Sequence, residues 1–242
     1  MSYIFREHIK QSLAVIAFLI TLTACTSESY DAGDGPNSYL TADLVLLHTS
    51  QDKSVRSALL DDGTTLQFSN PFAQDWLTRP DSVYRALLYY DKTVAASDAA
   101  ASNPTATSIV RARSVRPVYV LRPVEAEDME TLCTDPVGFE SIWLSKNKSY
   151  INLSLLLKSG KTEADDALHA LGIVSHGTTT DADRRRTLHL TLYHDQGGVP
   201  TYYTVQQYVS IPTQLLEEAD TVELTLNTYN GKKVVKVAVS NL

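Results

Sequence analysis

Residues 221–239 read TVELTLNTYNGKKVVKVAV, a pattern that indicates a β-hairpin. Valine or leucine occupies positions 222, 224 and 226 before Asn230-Gly231 and positions 235, 237 and 239 after it, separated by polar residues and by Ala238. A period of two is typical of a strand with one buried face. Asn-Gly between two such runs is a strong signal of a tight turn between antiparallel strands. This stretch therefore predicts two paired strands that cover one side of an apolar core.

The same alternation continues through the rest of the second half. Residues 150–157 place Ile151, Leu153, Leu155 and Leu157 on one face. Residues 167–175 fit a strand or a helix almost equally well. Further strand-like runs occur at residues 139–144, 187–194 and 202–211. About six or seven short strands joined by hairpins predict an antiparallel β-sandwich over residues 137–242.

The first half predicts a smaller β unit. Asp61-Asp62-Gly63 lies between two strand-like runs and indicates a hairpin with a type I′ turn. Residues 95–108 are dominated by Ala, Ser and Thr and predict a mobile loop. Strand-like runs occur at residues 39–48, 54–60, 64–68, 83–91 and 109–121. About five strands in this length favour an OB-like β-barrel over residues 39–122. Acidic residues 125–132 predict a short helix within a linker at residues 123–136.

The N-terminus predicts an export signal and a lipid anchor. Residues 13–22 (LAVIAFLITL) form an apolar run that is too short to span a bilayer as a helix but suits a signal peptide. Leu22-Thr23-Ala24-Cys25 resembles a bacterial lipobox, which predicts cleavage after residue 24 and acylation of Cys25. Polar residues 25–38 predict a flexible tether. Thr26 stands where an aspartate would favour retention in the inner membrane, so we expect the lipoprotein to be anchored in the outer membrane. The sequence does not indicate whether it lies on the periplasmic side or on the cell surface.

Charge and side-chain chemistry exclude several classes of function. The net charge of −7 is poorly matched to nucleic acid, which is bound through Lys and Arg. With Cys25 acylated, Cys133 is expected to be a free thiol. The histidines show no metal-ligand spacing, so we predict no metal, and no cofactor motif is present. The side-chain chemistry therefore indicates no enzyme. The strand patterns described above predict an all-β fold class.

Two groups of residues are weak candidates for a binding site. Tyrosines stack on sugar rings and also favour strands. A run of arginines could contact an anionic partner or simply be solvated. The candidates are Tyr202, Tyr203 and Tyr208, and Arg184, Arg185 and Arg186. Pairs of carboxylates across a cleft could also serve a hydrolase, but the sequence does not place any such pair.

Several stretches resemble the NigD-like lipoprotein family. They are Asn37-Ser38-Tyr39-Leu40, Asp61-Asp62-Gly63, and residues 83–90, 188–190, 202–204, 208–212 and 227–233. The resemblance implies a lipoprotein with an N-terminal OB-like domain and a C-terminal β-sandwich, associated by name with a bacteriocin gene cluster. It supplies no catalytic or ligand residues. Relatives often carry a dense acidic run after the lipidated cysteine, whereas here the acidic residues are scattered.

These features favour a lipid-anchored envelope protein that binds another envelope protein or a glycan without catalysis. One alternative is a glycan-processing or hydrolytic accessory lipoprotein. Another is a bacteriocin-associated secretion or immunity protein, which rests on the family name.

The lipid anchor can be tested directly. Replacing Cys25 with Ala removes the thiol that would form the thioether, so metabolic labelling with an acyl probe should be lost. The protein should also leave the membrane fraction, while Cys133→Ala should retain both label and location. Unchanged labelling of Cys25→Ala would contradict the prediction.

Overall fold

A computed structural model describes residues 40–92, 108–161, 168–216 and 218–239. The predicted signal peptide, Cys25 and the tether lie outside the described residues, as does nearly all of the predicted loop at residues 95–108. Within the described ranges, no helix is long and apolar enough to cross a membrane. The fold class is all-β, as predicted.

The first half forms a closed five-stranded barrel. Its strands are β1 (Leu40–Thr49), β2 (Val55–Leu60), β3 (Thr65–Phe72), β4 (Val83–Lys92) and β5 (Ser108–Pro117). Their order around the barrel is β1-β2-β3-β5-β4, with β3 and β5 parallel. Closure leaves no strand edge exposed, as in OB-like barrels. The core is filled by alternate residues such as Val45 and Leu47 of β1 and Ala86 and Leu88 of β4.

The second half is a sandwich of two sheets. Its strands are β6 (Tyr119–Val120), β7 (Pro123–Glu125), β8 (Gly138–Leu144), β9 (Tyr150–Ser159), β10 (Ala170–Thr180), β11 (Arg186–Asp195), β12 (Tyr203–Pro212), β13 (Thr221–Thr228) and β14 (Gly231–Ala238). One sheet has the order β14-β13-β11-β10-β7 and the other β6-β12-β9-β8. The long hairpins are antiparallel, but β11 runs parallel to β13, and β6 and β7 add short parallel pairings. The predicted apolar face of β9 is fully buried in the core between the sheets.

The barrel hairpin forms where predicted, but its turn is not type I′. Both central residues of a type I′ turn need positive φ, whereas Gly63 alone has positive φ here, at 89°. The Gly63 N–H donates to the Leu60 carbonyl at 3.0 Å, and the Leu60 N–H donates to the Thr64 carbonyl at 2.9 Å. This is a three-residue loop with a glycine bulge. It places Asp61 and Asp62 at the hairpin tip.

The predicted helix at residues 125–132 is replaced by a strand and a single turn. Pro123–Glu125 form β7 and pair with β10, and a 3-10 turn covers Ala126–Asp128. Acidic residues favour a helix N-terminus, but this segment carries no apolar stripe to pack. Residues 41–242 are grouped as one compact unit, which does not divide at the linker. The domain boundary at residues 123–136 therefore stays a prediction.

Arg85 of β4 joins the barrel to the sandwich through a buried polar network. Its guanidinium makes a two-pronged ion pair with Asp61, at 2.5 and 2.7 Å. It also donates to the Asn152 side chain of β9 at 3.1 Å and to the Ser210 hydroxyl of β12 at 3.2 Å. The Arg85 residue is 4% exposed, and its guanidinium lies over the Tyr150 ring, 4.4 Å from the centroid. The barrel and the sandwich thus share one charged hydrogen-bond network.

Loss of Arg85 should therefore destabilise the whole fold. Arg85→Ala removes the cationic partner of the Asp61 carboxylate, which is 19% exposed, and the Asn152 amide that donates to this carboxylate at 3.2 Å does not replace the lost charge. Breaking a buried ion pair in this way costs about 3 kcal/mol. Arg56→Ala is the matched control, because Arg56 lies 3.9 Å from Asp52 with both side chains largely exposed, and exposed pairs of this kind contribute little. Urea unfolding measures both changes. Equal losses for the two variants would contradict the structural role of Arg85.

Candidate functional site

A groove lies where the barrel meets the sandwich. Its larger cavity has a volume of about 350 Å³. Five parts of the fold line it: β1, the β2–β3 turn and β4 from the barrel, and β8 with its following turn and β12 from the sandwich. The side chains that matter below are Asp43, Asp61, Asp62, Leu87, Tyr89, Trp143, Lys146 and Tyr208. The groove therefore exists only when both β units are in place.

One wall of the groove is aromatic. The Trp143 and Tyr208 rings meet edge to face, with centroids 6.4 Å apart and planes at 81°. Tyr89 packs with them over the buried side chains of Leu44, Leu87 and Val118. All three rings are partly exposed. Such rings offer both flat apolar surface and a polar edge or hydroxyl to a ligand.

Three carboxylates line the same cavity, and each has a hydrogen-bond or ion-pair partner within the protein. Asp61 accepts both prongs of Arg85, and its carbonyl accepts the Asn147 N–H at 2.7 Å. Asp62 accepts the Thr64 N–H at 2.9 Å, and its carboxylate lies 3.8 Å from the Lys146 ammonium. Asp43 accepts the Tyr90 hydroxyl at 2.8 Å. The groove is thus a mixed aromatic and acidic surface.

The Asp62 carboxylate is held in its charged form. Partial burial alone would raise the pKa of Asp62, but hydrogen bonds from Thr64 and the charge of Lys146 outweigh it, and the pKa is lowered. The pKa of Tyr90 is raised well above its usual value by burial and by its hydrogen bond to Asp43, and the charges of Asp43 and Asp62 add to this shift.

A smaller cavity of about 100 Å³ continues the groove beyond Leu87 and Tyr208, which line both cavities. Its other polar side chains are Arg116, Gln206 and Gln207, and the exposed Tyr119 lies beside them. Leu87 and Tyr208 thus form a saddle between an acidic end and an end rich in amide groups. An extended ligand could contact both.

The predicted binding residues do not form one surface. Tyr208 lines the groove, whereas Tyr202 and Tyr203 lie at the start of β12 and are 80% and 50% exposed. An extended strand rises about 3.4 Å per residue, so Tyr203 lies about 17 Å from Tyr208 along β12.

The arginine run forms the turn between β10 and β11 and lines neither groove cavity. Arg184 has positive φ, 62°, and its N–H donates to the Asp181 carbonyl. The Arg185 N–H donates to the Asp181 carboxylate, and the Arg186 side chain lies 3.7 Å from Glu218. A role in the turn accounts for these contacts.

The sequence did not single out Trp143, Tyr89, Asp43, Asp61 or Asp62 as site residues. One signal was available. Odd-numbered residues of β4, Arg85, Leu87 and Tyr89, share a face opposite the barrel core and include large apolar groups. An outward face of that composition indicates that something covers it.

The histidines contain one close pair. The Nδ1 of His169 lies 3.0 Å from the Nε2 of His194, and the two rings stack with centroids 5.2 Å apart. His194 is fully buried, and its Nδ1–H donates to the Asp135 carbonyl at 3.0 Å. No group of three or more metal-ligating side chains occurs in the described part of the chain. Cys133 is half-buried and forms no disulfide with any residue of the described ranges.

This pair predicts a loss of stability in mild acid. Burial lowers the pKa of His169 below 6.5, and the neighbouring His194 lowers it further, while the Lys158 carbonyl opposes the shift. The unfolded chain therefore takes up a proton near pH 6.5 that the folded chain refuses, so the free energy of unfolding should fall as pH drops below 6.5. Urea unfolding between pH 7.5 and 5 measures this. His169→Gln should flatten the dependence, while His176→Gln, on an exposed strand position, should not. An unchanged slope in His169→Gln would contradict the assignment.

Comparisons with known proteins support the fold. The NigD-like C-terminal beta sandwich domain family matches residues 121–239. The solved structure of a NigD-like immunity protein from Bacteroides caccae is 23% identical with a TM-score of 0.58, covering 81% of this chain and 91% of that chain. A candidate lipoprotein from Bacteroides fragilis is 12% identical with a TM-score of 0.57, covering 84% and 99%.

A candidate toxin-related protein from Parabacteroides distasonis is 19% identical with a TM-score of 0.54, covering 82% of this chain and 92% of that chain. A comparison with curated proteins gives no significant match. At these identities, the likeness to solved structures concerns the fold. The family match covers every strand from β7 to β14. The chain therefore carries the C-terminal β-sandwich domain of the NigD-like family, which confirms the family resemblance.

Proposed function

We propose that this protein is a lipid-anchored, non-enzymatic binding module of the cell envelope, and that its ligand occupies the groove between the barrel and the sandwich. The observation that carries the proposal is the wall formed by Trp143, Tyr208 and Tyr89 in a cavity of about 350 Å³. Large clefts with aromatic walls and a few placed polar groups are the usual form of a ligand site.

The carboxylates favour binding over hydrolysis. A glycosidase needs one carboxyl group with a raised pKa to act as the acid and a second one that stays ionised. Both Asp61 oxygens are bonded to Arg85, and the pKa of Asp62 is lowered. Both therefore suit fixed negative charges better than proton donors.

The hydrolytic alternative still has one observation in its favour, since three carboxylates line a single cavity. In that case Asp43→Asn or Asp62→Asn would abolish turnover of a glycan or peptide substrate by the purified protein. If the unaltered protein turns over such a substrate and these variants do not, the hydrolytic function would be supported and the present proposal would be wrong.

The place of action that we propose is the outer membrane, with Cys25 as the anchor. The structural likeness to a candidate lipoprotein supports an envelope location. The bacteriocin-associated alternative draws on the description of a structural neighbour as a NigD-like immunity protein. The binding module that we propose and the bacteriocin-associated protein would both use a binding groove. They would differ in the ligand that the groove binds.

Site-specific photo-crosslinking in cells tests the groove. A benzophenone amino acid at position 89 or 208 should give a defined adduct of higher mass, because both side chains line the cavity. The same probe at position 202 is the matched control, since Tyr202 is also an exposed sandwich tyrosine but lies outside the groove. Adducts from position 202 and none from 89 or 208 would contradict the proposal.

A further inference from the structure

We infer that the larger cavity is a subsite for a cationic side chain, the lysine or arginine of a basic polypeptide segment of a partner. This inference rests on the proposed function and names the chemistry of its ligand. It is based on the combination of aromatic rings, fixed carboxylates and apolar floor within one cavity.

The aromatic wall fits a cation. An ammonium or guanidinium within about 6 Å of a ring centroid is attracted by the negative face of the ring. Trp143, Tyr89 and Tyr208 line the same cavity, and tryptophan is the strongest of the aromatic side chains in this role. The apolar side chains of Leu44 and Leu87 beneath them suit the methylene stem of a long basic side chain.

The charges in the cavity leave a net attraction for a cation. Asp61 is neutralised by Arg85, which is buried and held from both β units. Asp43 is bonded to an uncharged partner, the Tyr90 hydroxyl, and a carboxylate can accept several hydrogen bonds.

The basic group at the rim is easily displaced. The Lys146 side chain is 81% exposed, and its ammonium lies 3.8 Å from the Asp62 carboxylate. Exposed pairs of this kind contribute little. A cation seated against the aromatic wall could therefore approach Asp62 while Lys146 turns to solvent. The net charge of the chain, −7, would further favour approach of a basic partner.

The second cavity suits the backbone of such a segment and not a second cation, because the exposed Arg116 also lines it. Gln206 and Gln207 carry amide groups that can donate to and accept from peptide groups. Gln207 already donates to the Tyr208 carbonyl at 2.9 Å, which orients it at the saddle. A neutral oligosaccharide would also stack on tryptophan, but it gains nothing from fixed carboxylate charge. The experiment therefore treats it as the competing occupant.

The test uses the full chain in detergent, with Trp76→Phe so that Trp143 is the remaining tryptophan. The probe is a capped peptide of alternating lysine and glycine, and its control is the same peptide with every lysine acetylated. The lysine peptide should change Trp143 fluorescence in a saturable manner, and its affinity should fall as NaCl is raised. The acetylated peptide should bind at least about tenfold more weakly.

Variants separate a site from general charge attraction. Asp43→Asn and Asp62→Asn should each weaken binding of the lysine peptide about three- to tenfold. Asp75→Asn, an exposed barrel position outside the cavity, removes the same charge and should change it less than twofold. Tyr89→Leu should weaken binding while thermal unfolding shows that the variant is folded.

Three results would overturn the inference: equal binding of the acetylated peptide, equal effects of Asp75→Asn and Asp43→Asn, or saturable binding of a neutral hexasaccharide with none of the peptide. In each case crosslinking from positions 89 and 208 would still succeed if the groove is the binding site. Failure of crosslinking from positions 89 and 208 would instead contradict the proposed function itself.

Discussion

The ion pair between Arg85 and Asp61 is the constraint on which the arrangement of the two β units depends. A guanidinium that is almost fully buried must be paired and hydrogen-bonded, because an isolated buried charge is very costly. Asp61 comes from a hairpin tip of the barrel, and Asn152 and Ser210 come from two strands of the sandwich. The Ser210 hydroxyl also donates to Asn152 at 2.7 Å. Every member is satisfied in one relative placement of barrel and sandwich.

The groove follows from this constraint. Arg85, Leu87 and Tyr89 share the outward face of β4, because side chains alternate along a strand. Fixing Arg85 against the sandwich therefore brings Leu87 and Tyr89 beside Trp143 and Tyr208. The ion pair also fixes the β2–β3 hairpin tip, and so holds Asp62 in the cavity that these rings line. The ligand surface is thus formed jointly, with neither β unit holding it alone.

The sequence predicted the β elements well because a period of two reports directly which residues share a buried face. Ile151, Leu153 and Leu155 of β9 are all fully buried as expected. The same pattern misleads on the opposite face. Asn152 and Ser154 look like solvent-facing residues, yet they are buried beneath partners that are distant in sequence. Periodicity cannot identify the group that covers an outer face, so Arg85 and the groove residues other than Tyr208 were missed.

Local rules also failed in places where several local conformations satisfy the same residues. Asp-Asp-Gly suits both a type I′ turn and a three-residue loop with a bulge, and strand register decides between them. Acidic residues 125–132 favour a helix start, yet without an apolar stripe the pairing with β10 determines the outcome. His169 and His194 lie far apart in sequence, and the pair forms because His169 immediately precedes β10 and His194 lies near the end of its partner, β11.

A junction made of apolar side chains could have been equally stable, since a buried ion pair often contributes no more than a well-packed hydrophobic replacement. The polar network adds a requirement on the relative orientation of the barrel and the sandwich. Apolar contacts tolerate small shifts and rotations, whereas the two-pronged ion pair with two further hydrogen bonds is satisfied in one geometry. A cavity between two β units keeps its shape only if those units cannot slide. The charged junction is therefore best understood as the means by which two separately packed cores maintain an open, pre-formed groove between them.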